Sequence, residues 1–313
     1  MKKLSLWLCA IALSFSSFVA FAKDLTIGFS QIGAESSWRT AETKSIKDEA
    51  EKRGIKLQFS DAQQKQENQI KAIRSFIAQG VDGIILAPVV QTGWERVLKE
   101  AKKAGIPVVL VDRTITVSDD SLYTSFVGSD LLFEGRMAGA WVVQDLEGYG
   151  NVVELQGTPG AAAALDRQKG FKDMIQYFPG IKITQSQTGD FTRAKGKEVM
   201  EAFLKSDKNI DLLFSHNDDM AIGAIQAIKE SGLKPSKDIL VVSVDGVPDY
   251  FKAMADGEAN ATVELSPHLG GPSFDAIEGY LKGDKNIPKL ISTTGDLFTQ
   301  ETAAAEYEKR RMK

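Results

Sequence analysis

Cysteine is almost missing from this 313-residue chain; the single one, Cys9, lies in an apolar stretch near the amino terminus. The chain therefore has neither a disulfide framework nor a thiol nucleophile, and its stability has to come from packing. Histidine is nearly as scarce: His216 and His268 lie far apart and form no metal-ligand spacing. Neither sign of charge dominates, with 38 Lys and Arg against 42 Asp and Glu. The surface thus lacks the basic field that nucleic acid or an anionic membrane requires. No Gly-x-Gly-x-x-Gly follows a strand and no Walker loop is present, so nucleotide cofactors lose their usual cradle. Asp119-Asp120 is not followed by the ligand pattern of a calcium loop. No cofactor and no metal is expected. Beyond Ala22, no apolar run approaches membrane-spanning length.

What the chain does have begins at its first residues. Met1-Lys2-Lys3 is basic, Leu4 to Phe21 is apolar apart from serines, and Ala20-Phe21-Ala22 places small residues where a signal peptidase reads. That order predicts a secretory signal peptide over 1–22, cleaved after Ala22, and a protein exported to the periplasm. A membrane anchor is the rival reading, but the run has no positively charged stop on its far side. Cys9 does not make a lipoprotein, because Leu6-Trp7-Leu8 stands where small residues are needed.

Past the leader, strand and helix patterns alternate. Leu25 to Phe29, Ile55 to Phe59, Val81 to Leu86 and Val108 to Val111 read as strands. Between them Trp38 to Arg53, Gln66 to Gln79 and Trp94 to Ala104 read as helices, with Gly54 and Gly80 as caps. The rhythm restarts with helices over Leu131–Leu146, Arg167–Phe178, Arg193–Ser206 and Met220–Ser231, interleaved with strands over 151–155, 181–186, 212–214 and 240–244. Two blocks of βαβ units in a chain too long for one core predict two similar doubly wound α/β lobes with parallel sheets. No Pro/Gly/Ser linker separates them near Gly128 to Asp130, so a hinged pair is expected.

Ligands of open parallel sheets bind beyond the carboxyl ends of the strands. The residues found there are Gln31, Ser36, Trp38 and Arg39, then Asp112 and Arg113, then Asp166 and Arg167, Phe191, Asn217 and Asp245. Carboxylates, amides and guanidinium forks can engage a hydroxyl as donor and as acceptor, while Trp38 and Phe191 suit the C–H face of a sugar ring. Each has a plainer reading as well. Trp38 could anchor a core, Asp112 and Arg113 could pair with each other, and Asn217 or Asp218 could simply cap the next helix. His216 stands beside the set and could serve as an acid or base, but no serine elbow accompanies it. A glycosidase would need two carboxylates about one bond, and Asp112 and Asp245 would have to fill those roles. Each has an arginine of the set as a plausible partner, which would keep both ionised and favours binding over proton donation.

At these residues the chain resembles the periplasmic pentose- and hexose-binding family, the type I binders related to ribose-binding protein. Val111-Asp112-Arg113, Leu165-Asp166-Arg167-Gln168-Lys169-Gly170-Phe171, Asn217-Asp218-Asp219-Met220 and Val244-Asp245-Gly246 carry the similarity, which spans the whole mature chain. Glu35-Ser36 with Trp38-Arg39, Gln64 to Lys71, and Gly189-Asp190-Phe191-Thr192-Arg193 are similar more narrowly to the galactofuranose-binding members of that family.

The resemblance implies a sugar contact by Asp112, Arg113, Arg167, Phe191, Asn217 and Asp245. It also implies a monomeric receptor that docks on an inner-membrane ABC permease, and it leaves a chemoreceptor open as a further partner. Three hinge crossings are implied near 128–130, 264–266 and 293–296. The lobes would then comprise 23–128 with 265–293, and 129–264 with 294–313. Leu265 departs from the family, which places a polar contact there; Glu264 is adjacent but should face the other way on a strand. A sugar-responsive transcription regulator shares the implied fold, yet would need a helix-turn-helix where this chain has its leader.

Overall fold

The computed structural model describes residues 25–293 and 295–311; the leader and the expected cleavage after Ala22 lie outside the described residues. The chain opens with β1 (Thr26–Gln31), α1 (Ser37–Lys52), β2 (Lys56–Asp61), α2 (Gln66–Gln79), β3 (Gly83–Leu86), α3 (Glu95–Lys103), β4 (Val108–Val111) and β5 (Ser125–Gly128). A second run follows with α4 (Leu131–Asp145), β6 (Tyr149–Gln156), α5 (Ala162–Ile175), β7 (Gly180–Thr188) and α6 (Arg193–Ser206). It continues through β8 (Leu212–Ser215), α7 (Asp218–Glu230), β9 (Leu240–Asp245), α8 (Pro248–Ala255) and β10 (Ala261–Glu264). The chain then returns to the first lobe as α9 (Gly270–Leu281) and β11 (Leu290–Ser292), and ends in the second as β12 (Leu297–Thr299) and α10 (Gln300–Arg311).

Two six-stranded sheets result, ordered β11-β5-β4-β3-β1-β2 and β12-β10-β9-β8-β6-β7. Their strand pairs are parallel, except that β12 runs antiparallel to β10. The central strands read Gly-Ile-Ile-Leu, Val-Val-Leu-Val and Leu-Leu-Phe-Ser and are buried throughout, as strands covered by helices on both faces must be. Each sheet reverses its order beside its first strand, at β1/β3 and at β6/β8. The two lobes therefore carry equivalent crevices at their switch points. The chain passes between lobes three times, after β5, after β10 and after β11. The last two crossings run together, since Glu264 N donates to Asp296 O at 2.8 Å.

Two local expectations shift. α5 begins at Ala162, not at Arg167, because the buried alanines Ala162, Ala163 and Ala164 continue the helix towards the other lobe. β5 was not expected as a strand, since four residues opening on serine give too short a pattern to read. Helices of the second lobe approach unusually closely. An added Cβ on Gly170 of α5 would lie 2.0 Å from Leu132 O, and one on Gly135 of α4 would lie 2.1 Å from Arg167 O. The same reciprocal contact joins α6 and α7, where a Cβ on Gly223 would lie 2.0 Å from Arg193 O.

Candidate functional site

Between the two switch points lies a cavity lined from both lobes. The α1 end of the first lobe contributes Glu35, Ser36, Trp38 and Arg39, and the end of β4 contributes Asp112 and Arg113. From the second lobe come Ala163, Arg167, Phe191, Asn217 and Asp245, and Leu265 enters from the second crossing. Nine of the eleven residues read beyond the strand ends thus meet around one space. The lobes touch over it: the Arg113 guanidinium sits 5.0 Å from the centre of the Phe191 ring.

The first-lobe wall is a buried charge lattice. Arg39 binds Asp112 and Glu42 through its two terminal nitrogens, and its Nε donates to Glu35 Oε1 at 3.1 Å. Burial would lower the Arg39 pKa, but Asp112, Glu42 and Glu35 together raise it, so the guanidinium is held charged. Burial likewise works against ionised Asp112, and Arg39 and Arg113 overcome it to bring its pKa below the ordinary value. Asp112 also has a left-handed backbone, φ 64°, which turns its carboxylate off the strand end. Arg113 is drawn down to about 10, by burial first and by Arg39 second. Glu35 Oε2 and Arg113 Nε are buried without a hydrogen-bond partner, so this wall retains an acceptor and a donor for a bound molecule.

The second-lobe wall turns on Arg167, which sits one turn into α5. Its Nε donates to Glu134 Oε2 at 2.8 Å, its Nη1 donates to the His216 carbonyl at 2.6 Å, and its Nη2 lies 3.6 Å from Asp245 Oδ1. Asp245 is buried, and burial together with Asp218, Asp219 and Glu134 pushes its pKa up against the pull of Arg167. Asn217 both caps α7, accepting from Met220 N at 3.0 Å, and donates one amide hydrogen to Phe191 O at 3.2 Å. Its other amide hydrogen remains for the cavity. The Phe191 ring lies on the Gly157 backbone so closely that a Cβ there would come within 1.9 Å of it. Trp38 is held by an indole N–H bond of 2.6 Å to the Leu265 carbonyl, so Leu265 contributes its backbone to Trp38 and an apolar side chain to the cavity.

Three further candidates, Gln31, Asp166 and Glu264, do not line the cavity. Gln31 is buried behind the wall, where its amide donates to Glu42 Oε2 and Thr43 Oγ1 at 2.9 Å each; it supports Arg39 and does not reach the cavity. Asp166 does not line the cavity, because one residue along a helix rotates a side chain about 100° away from Arg167. Glu264 faces out of the cleft and pairs with Arg310 of α10. His216 is no acid or base of the cavity either: its Nδ1 accepts from Gly157 N at 3.3 Å and its Nε2 meets Glu154 Oε1 at 3.1 Å. Asp218 also turns away, accepting from Val247 N at 2.8 Å and Thr262 Oγ1 at 3.0 Å, and burial lifts it to about 7.

Glu35, Glu42 and Glu134 were missed as site residues. The i,i+4 spacing of Glu35 to Arg39 and the i,i+3 spacing of Arg39 to Glu42 were the available signals. Nothing in the local sequence ties Glu134 to Arg167. Among the described residues, no group of His, Cys, Asp and Glu could hold a metal, and no helix is long and apolar enough to cross a membrane.

The His216–Glu154 pair yields a pH prediction. Burial would raise Glu154, but hydrogen bonds from His216, Ser186 and Gln168 bring it from the usual 4.5 down to about 2. A depressed carboxylate stabilises the fold above its unfolded pKa, and that share is lost as pH falls from 4.5 to about 2. Glu154→Gln is expected to cost about 3 kcal/mol at pH 7 and nearly nothing at about pH 2. Urea unfolding of both proteins at the two pH values checks it; an equal cost at both would refute the assignment.

Two α/β lobes with switch points facing across a hinge, and a polar cavity closed between them, define a ligand-binding receptor of the periplasmic type. The chain belongs to the family described as periplasmic binding protein domain, which it matches over residues 27–285. It is 58% identical to the galactofuranose-binding protein YtfQ of Escherichia coli (strain K12), over 99% of each chain. Among solved structures it superposes with a TM-score of 0.90 on the periplasmic binding protein of the arabinose ABC transporter from Shewanella sp. ANA-3, bound to α- and β-L-arabinofuranose. That protein is 66% identical, over 92% of this chain and 96% of the other. A crystal structure of a galactofuranose-binding protein also gives a TM-score of 0.90 at 60% identity, over 92% of this chain and 99% of the other.

Proposed function

We propose that this protein is the periplasmic receptor of an ABC importer, closing on one monosaccharide in its furanose form and delivering it to the inner-membrane permease. The observation that carries the reading is the cavity itself. It sets three arginines and three carboxylates around Trp38 and Phe191, with residues from both lobes facing one space. Such a lining offers each ring hydroxyl a charged donor or acceptor and each ring face an aromatic or apolar surface. The furanose preference is supported by the relatives, two of them galactofuranose binders and one bound to L-arabinofuranose.

Asp112, Arg113, Arg167, Asn217, Asp245 and Arg39 supply the polar contacts, with Glu35 and Ser36 added from the α1 entrance. Capture follows from closure: a sugar that contacts both lobes binds the closed form better and shifts the population towards it. No turnover is involved. Arg39 and Arg113 hold Asp112 ionised as an acceptor, while Asp245, lifted by burial and its acidic neighbours, lies against Arg167. The lobes are assigned as 23–128 with 265–293 and 129–264 with 294–313, after removal of the leader at Ala22.

The test is titration calorimetry with L-arabinose and D-galactose, paired with NMR of ¹³C-labelled sugar in the complex. One-to-one heats and bound carbons at furanose shifts are expected. Bound pyranose resonances would overturn the ring-form assignment, and no heat with either sugar would overturn the reading as a whole.

A further inference from the structure

The rim of the cleft holds an interaction in which neither partner lines the cavity. α1 of the first lobe and α7 of the second present their N-termini to each other. Each such terminus carries unpaired N–H groups and a partial positive charge, so bringing two together is unfavourable without an anion between them. Asp219 supplies that anion. One carboxylate oxygen, Oδ2, accepts from Ser37 N at 2.7 Å and from Ser37 Oγ at 2.6 Å, across the cleft. The other, Oδ1, accepts from Arg193 Nε at 3.1 Å and Nη2 at 2.8 Å, within its own lobe. Arg193 is steadied in turn by Asp249 Oδ2 at 3.1 Å.

Asp219 is thus aimed by Arg193 before the lobes meet. Ser36 already caps α1 through Arg39 N, which leaves the first helical N–H, that of Ser37, to be satisfied from outside. The lobes also share a bond between backbones, Gln91 N to Gly160 O at 2.9 Å.

We propose that Asp219 is a closure latch: a residue that sets sugar affinity and residence time without touching the sugar, by stabilising only the closed arrangement of the lobes. The proposal builds on the receptor reading above. In the open form Ser37 returns to water while Asp219 keeps Arg193, so the two cross-cleft bonds count wholly towards closure. A ligand competent to bind only the closed form then sees its affinity scaled by the closed fraction.

The geometry supplies a clean variant. Ser37 is the first residue of α1, where proline is well tolerated, and Ser36 before it is extended, φ −140° and ψ 162°, as a residue preceding proline prefers. Ser37→Pro removes both donors to Asp219 and leaves the helix and the cavity residues intact.

Dissociation of L-arabinose is measured by stopped flow for wild type, Ser37→Pro, Asp219→Asn and the double variant. In parallel, the interlobe distance distribution is read without sugar, using one spin label introduced on each lobe. Loss of two hydrogen bonds to a carboxylate at a partly wet rim is expected to speed dissociation roughly tenfold in each single variant, with association changed less than twofold. The double variant should be no worse than the worse single one, and the closed fraction should fall in all three.

Unchanged dissociation and an unchanged distance distribution in Ser37→Pro would overturn the latch while leaving the receptor reading standing. A wild type that binds neither L-arabinose nor D-galactose, yet opens on Ser37→Pro, would overturn the ligand reading and keep the latch. A sugar-free wild type that is fully open and binds neither sugar would overturn both.

Discussion

Arg167→Ala is expected to lose sugar affinity by about a thousandfold, an effect larger than any other single cavity substitution should produce. Arg167 is buried and binds Glu134 and the His216 carbonyl while facing Asp245. Truncating it removes a charged donor from the cavity and leaves two buried carboxylates without their cation, which costs about 3–5 kcal/mol for a buried pair. Thermal unfolding with and without sugar reads both consequences. At a sugar concentration about 100 times the wild-type Kd, the wild type gains about 2.7 kcal/mol of stability. After a thousandfold loss the variant gains less than about 0.1 kcal/mol at the same concentration. Arg167→Lys separates charge from geometry: a lysine cannot hold Glu134, the carbonyl and a ligand in one planar fork, so affinity should recover only in part while stability largely returns. A sugar-induced shift that survives in Arg167→Ala would remove this residue from the site.

Gly170→Ala is expected to be among the most destabilising single-methyl changes in the chain. Its Cβ would sit 2.0 Å from Leu132 O, a backbone atom that no side-chain rotation can move aside. α4 and α5 would have to separate, opening the packing of Gly135 against Arg167 O and shifting the helix that carries Arg167. A cost of about 4 kcal/mol is the scale for overpacking against rigid backbone, and in a protein of this size it lowers Tm by about 10 °C. Gly271→Ala in α9 is the control, because nothing lies within 4 Å of the added methyl and alanine is the better helix former. It should be neutral or slightly stabilising. Scanning calorimetry on the three proteins decides the matter, and equal Tm values would refute the close-approach argument.

How much of this could be read from residues alone is best judged element by element. α2 and α6 fall on their expected bounds, because each has a clear apolar stripe between signals that end it, such as the left-handed Gly80 after α2. The start of α5 was displaced because Ala161 to Ala164 carries no cap signal and no periodicity; small residues are compatible with helix or loop until something packs on them. Reading the residues just past each strand gathered Arg39, Asp112, Arg113, Arg167, Phe191, Asn217 and Asp245 correctly into one cavity, since parallel sheets put those ends on one side. The same rule could not separate Arg167 from Asp166, or Asn217 from Asp218. Neighbours in sequence point in different directions, and only the packed helix selects which one faces inward.

The near absence of cysteine, the balanced charge and the repeated βα rhythm determined, by themselves, a protein without disulfides, built as two parallel-sheet lobes with polar and aromatic residues at the strand ends. Those are properties of composition and period, which are local. Which partner answers which charge was decided only in three dimensions: Glu134 for Arg167, Asp112 for Arg39, Arg310 for Glu264 and Ser37 for Asp219 across the cleft. Several of these partners lie tens to nearly two hundred residues apart, so no periodicity records them. They are chosen by what burial leaves unpaired, and a buried charge accepts whichever counter-charge the fold brings within reach.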